Sequence, residues 1–206
     1  MMKLLLTGFE PFGRFQRNPS GETAHHLHGM MLGGVQVTSQ LLPVSFRRAS
    51  APLITALETV RPDMVLSLGL GAPGGIRVER LAVNRCTAPP GGDNDGDDPQ
   101  GAPILPAGPA TYEATLPVAR IVDHLTTLGF RVVPSDSAGE YLCNFVMYTT
   151  LHHVCMHRFP TRVGFLHGPA LSAEMEEGEE EQGMSLDQWI AWTQAVIAVV
   201  SETEDT

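Results

Sequence analysis

A cysteine, a histidine and a glutamate in this sequence could together perform nucleophilic chemistry. Cys143 lies near the start of a predicted helix that follows a strand, where unpaired N–H groups and the helix macrodipole favour a thiolate. His167 directly follows the predicted strand 162–166, and open α/β sheets bind ligands at the carboxyl ends of their strands. Glu79 lies in an alternating segment and could orient an imidazole. The three residues predict a thiolate, its acid–base partner and an orienting carboxylate.

Each of these residues also has an ordinary structural explanation. Cys143 could be a small apolar core residue, Glu79 could lie on the solvent face of an edge strand, and a histidine at a strand end is often structural. His152 and His153 cannot serve the thiol, since nine or ten helical residues place them about 13–15 Å away. His167 therefore remains the candidate base.

Composition limits the class of protein. The chain has 206 residues, 43% of them hydrophobic and 17% charged, which predicts one globular domain. The formal charge of −10 argues against nucleic acid or an anionic membrane as partner. Three cysteines do not predict a disulfide framework, and no stretch has the length of a membrane span. We expect a cytoplasmic protein with free thiols.

The helix that carries Cys143 is predicted from local signals. Pro134 should end the preceding strand, because proline cannot donate to a sheet ladder. Ser137 and Glu140 have the spacing of a capping box. This spacing predicts a helix that begins near Ala138, with Cys143 within about two turns of its N-terminus.

The remaining elements alternate between strands and helices. The apolar run 64–68 is typical of a central parallel strand buried on both faces, and the residues from 76 to 84 alternate like one further strand. A last amphipathic helix, over about 185–201, should begin with a capping box of Ser185 and Gln188. This alternation predicts an α/β fold with a parallel sheet.

Two segments resemble ligand-binding motifs only superficially. Residues 69–74 match G-x-G-x-x-G, but a strand and not a helix should follow, so nucleotide binding is not expected. The Pro- and Gly-rich segment 87–109 has an acidic centre at 93–98. An EF-hand loop would need Gly and Glu where Asp98 and Ile104 stand. We therefore expect a mobile, solvated loop or lid, no metal site and no cofactor.

Two phenylalanines lie in the loop after the first strand. Phe9 and Phe12 alternate with Gly and Pro in the segment 8–13, so they either plug the loop onto the domain or face a ligand. Ser20 follows Asn18 and a proline, and it is predicted to cap the next helix.

The sequence resembles the pyroglutamyl peptidases (pyrrolidone-carboxylate peptidases) over nearly the full chain. Four ordered motifs carry the resemblance: Thr7-Gly8-Phe9-Glu10-Pro11-Phe12-Gly13 with Asn18-Pro19-Ser20, Glu79-Arg80-Leu81-Ala82-Val83-Asn84, Ser137-Ala138-Gly139-Glu140-Tyr141-Leu142-Cys143-Asn144, and Gly164-Phe165-Leu166-His167.

The resemblance implies both a fold and an activity. The expected fold is a single domain over 1–206, an open α/β/α sandwich with a mostly parallel, twisted sheet. The expected activity is removal of N-terminal pyroglutamate from peptides by a Cys143–His167–Glu79 triad, without metal or cofactor. The resemblance also implies a homo-oligomer, a tetramer or a dimer.

The substrate would be an uncharged lactam, which needs apolar walls and a few amide partners. Candidate substrate-binding residues are Phe9, Phe12, Asn18, Leu70 and Leu142. One loop departs from the family pattern: where a glutamine and a Gly-Gly-Arg turn are usual, this chain has Leu70 and Pro73 in a shorter loop. This departure leaves open another α/β cysteine amidase. A second alternative is a non-catalytic binding protein of the same fold, in which the acidic loop from Gly92 to Asp98 serves an interaction.

Overall fold

The centre of the sheet consists of two strands that carry almost no charge. In the computed structural model, which describes residues 1–202, the fourth strand is buried along all but its last residue and the ninth along all but its first. Such runs suit parallel strands covered on both faces. The strands are Met2–Phe9 (β1), Met31–Leu32 (β2), Val35–Leu42 (β3), Met64–Leu70 (β4), Ile76–Glu79 (β5), Leu81–Val83 (β6), Thr111–Glu113 (β7), Val132–Ser135 (β8) and Arg162–Gly168 (β9).

Seven of these strands form one sheet in the order β2-β3-β1-β4-β9-β5-β8. Most neighbours are parallel, whereas β2 runs antiparallel to β3 and β5 antiparallel to β9. β6 and β7 form a separate antiparallel pair. The α/β class with a mostly parallel sheet is confirmed.

Helices cover both faces of the sheet. One apolar layer contains the helices that begin at Pro19, Val118 and Leu186, and the other contains those that begin at Ser50 and Leu142. The last helix begins with the predicted capping box of Ser185 and Gln188. None of the helices within residues 1–202 is both long and apolar enough to cross a membrane. The helices are Pro19–Leu27 (α1), Ser50–Val60 (α2), Val118–Thr127 (α3), Leu142–His157 (α4) and Leu186–Ser201 (α5).

Two predictions about strands are wrong, each because of a tertiary contact. Pro134 does not end a strand but lies within β8, which is tolerated because β8 is at the edge of the sheet. The segment 76–84 is not one strand. It divides at Arg80, whose backbone bonds to Ser135 and Ala114, and the two halves join different sheets.

Candidate active site

The helix of Cys143 begins later than local signals predict. Its first residue is Leu142, and Tyr141 is the N-cap residue, so the predicted start near Ala138 is wrong. Gly139 has φ of +78°, which a continuing helix cannot accommodate, and the carbonyl of Glu140 accepts the N–H of Thr87 at 2.7 Å. The capping box of Ser137 and Glu140 therefore does not form.

The later start moves Cys143 into the first turn of α4. The first N–H that bonds within the helix is that of Phe145, which donates to the carbonyl of Tyr141 at 3.0 Å. The N–H groups of Leu142, Cys143 and Asn144 come before it and have no acceptor within the helix. The thiol thus lies among N–H groups that stabilise an anion.

A buried asparagine fixes the start of α4. Asn144 is fully buried; its Oδ1 accepts the N–H of Val83 at 2.8 Å, and its Nδ2 donates to the carbonyls of Val83 and Arg85. These three bonds attach the first turn of the helix to β6. This role of Asn144 is not among the predictions from sequence, although its place directly after the cysteine was the available signal.

His167 and Glu79 meet across the antiparallel pair β5 and β9. His167 Nδ1 lies 2.8 Å from Glu79 Oε1, and both side chains are buried. In the sheet register His167 is opposite Arg77, and Glu79 is opposite Phe165. The solvent-face explanation of Glu79 is therefore wrong, because the reversed direction of β5 turns this carboxylate towards the histidine.

The surroundings of His167 favour its charged form. Burial lowers the pKa of His167, but the negative charge of Cys143, a hydrogen bond to it, and the bond and charge of Glu79 outweigh burial and raise the pKa to about 9. An imidazolium is therefore the dominant form near neutral pH. The ring of His167 interacts with both the thiol of Cys143 and the carboxylate of Glu79.

The end of β4 forms the floor beneath the thiol. A Cβ atom added to Gly69 would lie 2.8 Å from Cys143 Sγ and 2.8 Å from the ring of Phe165. These separations are below van der Waals contact, so the position has no room for a side chain. The close approach explains why glycine stands here and not an apolar strand residue.

All five candidate substrate-binding side chains surround one narrow pocket beside Cys143. Its free space, ≈ 10 Å³, is enough for about one water molecule. Two lining residues, Val44 and Tyr141, are absent from the prediction. Burial, Asp93 and Cys143 raise the pKa of Tyr141 to about 12, so its hydroxyl stays protonated. The full lining is Phe9, Phe12, Asn18, Val44, Leu70, Tyr141, Leu142 and Cys143.

Asn18 shapes the aromatic loop. Asn18, not the predicted Ser20, is the N-cap residue of α1, since its side chain accepts the N–H of Ser20. Its Nδ2 also donates to the carbonyl of Glu10 at 3.0 Å. Phe12 packs against Tyr141, with 6.2 Å between ring centroids. Asn18 thereby connects the start of α1 to the loop that carries Phe12.

The acidic centre of the long loop, residues 93–98, bonds to the segment that packs against Tyr141. Asp93 is buried; its Oδ2 accepts the N–H of Phe46 at 2.7 Å, while Asp95 binds both Ser45 and Arg48. Phe46 in turn packs edge-on against Tyr141, with 5.7 Å between centroids. These contacts hold the loop centre against the body, and the predicted mobility of the segment stays a prediction.

The arrangement places a thiol, an imidazolium and a carboxylate in sequence beside a mostly apolar pocket. Among residues 1–202, no group of three or more His, Cys, Asp or Glu side chains is placed to hold a metal ion. Such an arrangement is competent for acyl transfer through a thiolate.

Comparison with known proteins identifies the family. Residues 2–203 match the family model described as pyroglutamyl peptidase. The chain belongs to the pyroglutamyl peptidase family. The resemblance seen in the sequence is thus confirmed. The members of this family are cysteine peptidases.

Individual relatives in the family match at high coverage. The pyrrolidone-carboxylate peptidase of Pyrococcus furiosus is 42% identical over 178 residues, 84% of each chain. That of Yersinia pestis is 34% identical over 99% of this chain and 95% of that protein. The solved structure from Thermococcus litoralis superposes with a TM-score of 0.93 at 37% identity, covering 98% of this chain and 94% of that one. Pyroglutamyl peptidase I of Bacillus amyloliquefaciens superposes with a TM-score of 0.93 at 31% identity, covering 100% and 99%.

Proposed function

We propose that this chain removes N-terminal pyroglutamate from peptides and that Cys143, His167 and Glu79 catalyse the reaction. The proposal is carried by the buried bond of 2.8 Å between His167 and Glu79, together with the interaction of the same imidazole with Cys143. This order of groups matches a nucleophile, its acid–base partner and an orienting group.

The first half of the proposed reaction forms a thioester. Cys143 Sγ attacks the carbonyl carbon of the pyroglutamyl residue, and N–H groups of the first turn of α4 stabilise the oxyanion. His167 donates its proton to the leaving amine as the C–N bond breaks. The shortened peptide departs with a free amino terminus.

The second half releases the acid. Neutral His167 removes a proton from a water molecule, and the resulting hydroxide adds to the thioester carbonyl. The C–S bond breaks, pyroglutamate departs and Cys143 regains its thiolate. Glu79 accepts a hydrogen bond from Nδ1 throughout and stabilises the imidazolium that is present at the start and forms again in the second half.

The pocket composition supports recognition of an uncharged ring. Five of its eight lining side chains are aliphatic or phenyl groups, and the polar ones belong to Asn18, Tyr141 and Cys143. An α-ammonium group would be costly there, because no lining carboxylate would compensate its burial. We further propose that Phe12 or Tyr141 moves when substrate enters, since the free space now holds about one water.

Three fluorogenic amides test the proposed specificity. We expect release of the fluorophore from pyroglutamyl amide, and kcat/KM lower by about 10³-fold or more for prolyl and glutaminyl amides, whose charged amines the pocket should reject. Comparable rates on all three would instead favour a cysteine amidase of another specificity. No hydrolysis of any of them by the folded protein would contradict an enzymatic function. The oligomeric state and the cellular location stay predictions.

A further inference from the structure

Arg77 lies beside the proposed triad, although neither local sequence signals nor the family motifs singled it out. It is the second residue of β5, two positions before Glu79, so their side chains share one face of the strand. Across the sheet it is paired with His167. Its side chain is 31% exposed, which places it at the boundary between the site and solvent.

Distances connect Arg77 to the orienting carboxylate. Arg77 Nε lies 4.0 Å from Glu79 Oε1, the same oxygen that bonds to His167. A Cβ atom added to Gly71 would lie 2.6 Å from Arg77 Nη2 and 2.8 Å from Cβ of His167. The guanidinium and the imidazole therefore pack against the same turn, which has no room for a side chain.

Glu79 is a buried carboxylate that a neighbouring cation can stabilise. Its side chain is fully buried, and Oε2 has no hydrogen-bond partner within residues 1–202. Burial disfavours the ionised form of a carboxyl group, whereas a cation at about 4 Å favours it. A cation beside the Glu79 carboxylate therefore offsets part of the cost of its burial.

Few other charged groups face Glu79. From β9 it meets His167, with Cys143 of α4 beyond the imidazole, and on β8 the residue paired with it is uncharged Ser135. Arg80 is engaged instead with Asp136 at an exposed position. Within the described residues, the permanent cation at ion-pair distance from Glu79 is Arg77.

We infer that Arg77 is a positioning residue, whose charge holds the Glu79 carboxylate directed at His167 and so supports the charged Cys143–His167 pair. The inference rests on the triad proposed above. Arg77 acts through Glu79 and needs no contact with substrate.

The test compares Arg77→Met, Arg77→Lys and the control Arg80→Gln. For each we would measure the pH dependence of iodoacetamide alkylation at Cys143, quantified by peptide mass spectrometry, together with kcat and KM. In Arg77→Met the acid limb of alkylation, the pH range over which its rate first rises, should move to higher pH by about one unit. Loss of the cation removes positive charge that stabilises the Glu79 carboxylate and the charged Cys143–His167 pair. We expect kcat to fall about tenfold with KM nearly unchanged. Arg77→Lys should restore most of the acid limb, and Arg80→Gln should match the parent.

Two outcomes would overturn the inference. One is an acid limb and kcat that do not change in Arg77→Met. The other is an equal fall of kcat in Met and Lys variants with an unmoved pH profile, which would mean that Arg77 only packs. Should Arg77→Met melt early, Arg77→Gln removes the charge while retaining a polar side chain. Because alkylation needs no substrate, it reports on Arg77 even if pyroglutamyl amides were not hydrolysed.

Discussion

Replacing Cys143 by serine should lower kcat for pyroglutamyl-amide hydrolysis by about 10⁴-fold or more, to the limit of detection. A serine hydroxyl does not ionise near neutral pH, so the charged pair with His167 would not form, and the hydroxyl is a weak nucleophile without it. The fold should persist, because the substitution exchanges one small side chain for another at a partly exposed position. Initial rates and thermal melts of the purified variant provide the measurement.

Cys155 offers a matched control for this substitution. It is a free cysteine on the same helix, and it is exposed. Cys155→Ser should therefore retain the rate of the parent. A Cys143→Ser variant as fast as the parent would exclude Cys143 as the nucleophile. An inactive but folded Cys155→Ser would indicate that Cys155, and not Cys143, is the reactive thiol.

Replacing Glu79 by glutamine should lower kcat/KM by about 10²- to 10⁴-fold, as expected when the group that orients a catalytic imidazole loses its charge. The volume is preserved, but the amide cannot stabilise an imidazolium as a carboxylate does. Steady-state kinetics over a range of pH would measure both the loss and its pH dependence.

Loss of the Glu79 charge should move the pH profile of activity in one direction, to lower pH. Glu79 contributes to the pKa of about 9 at His167, so its loss should lower that pKa. Activity that requires the imidazolium would then decline at lower pH than in the parent, and the basic limb of kcat/KM should move downward. Glu113→Gln, at an exposed position on β7, should leave the profile unchanged. A basic limb that stays in place in Glu79→Gln would contradict the assigned role.

The chemistry could be predicted from the sequence because it depends on residue type and order. Cys143 near a helix start and His167 at a strand end follow from local patterns, and the apolar run of β4 predicts the centre of the sheet. The capping box of Ser185 and Gln188 also forms as its spacing predicts, with the side chain of each residue bonded to the backbone N–H of the other.

Non-local contacts explain what the sequence could not show. The helix of Cys143 starts late because Gly139 adopts a left-handed conformation and Glu140 bonds to Thr87. Neither fact is visible in the four residues of a capping box. The burial of Glu79 depends on the antiparallel pairing of β5 with β9, whereas an alternating segment by itself predicts a half-exposed strand.

The pocket also combines residues that could be predicted from the sequence with residues that could not. Phe12 could be chosen from its unusual place in a turn, whereas Phe9, predicted in the same loop, is in fact the last residue of β1. Val44 and Tyr141 join them only because distant segments fold together. Arg77 could not be predicted from the sequence, because its proposed role depends on the residue opposite it in the sheet, which is His167.

Mass spectrometry of the intact protein, quenched in acid within the first turnovers on a pyroglutamyl amide, tests directly whether catalysis passes through a thioester at Cys143. We predict a mass increase of one pyroglutamyl group, located at Cys143 by peptide mapping and removed by hydroxylamine as a thioester should be. A group attached to another residue, or rapid turnover that persists in Cys143→Ser, would show that Cys143 is not the nucleophile.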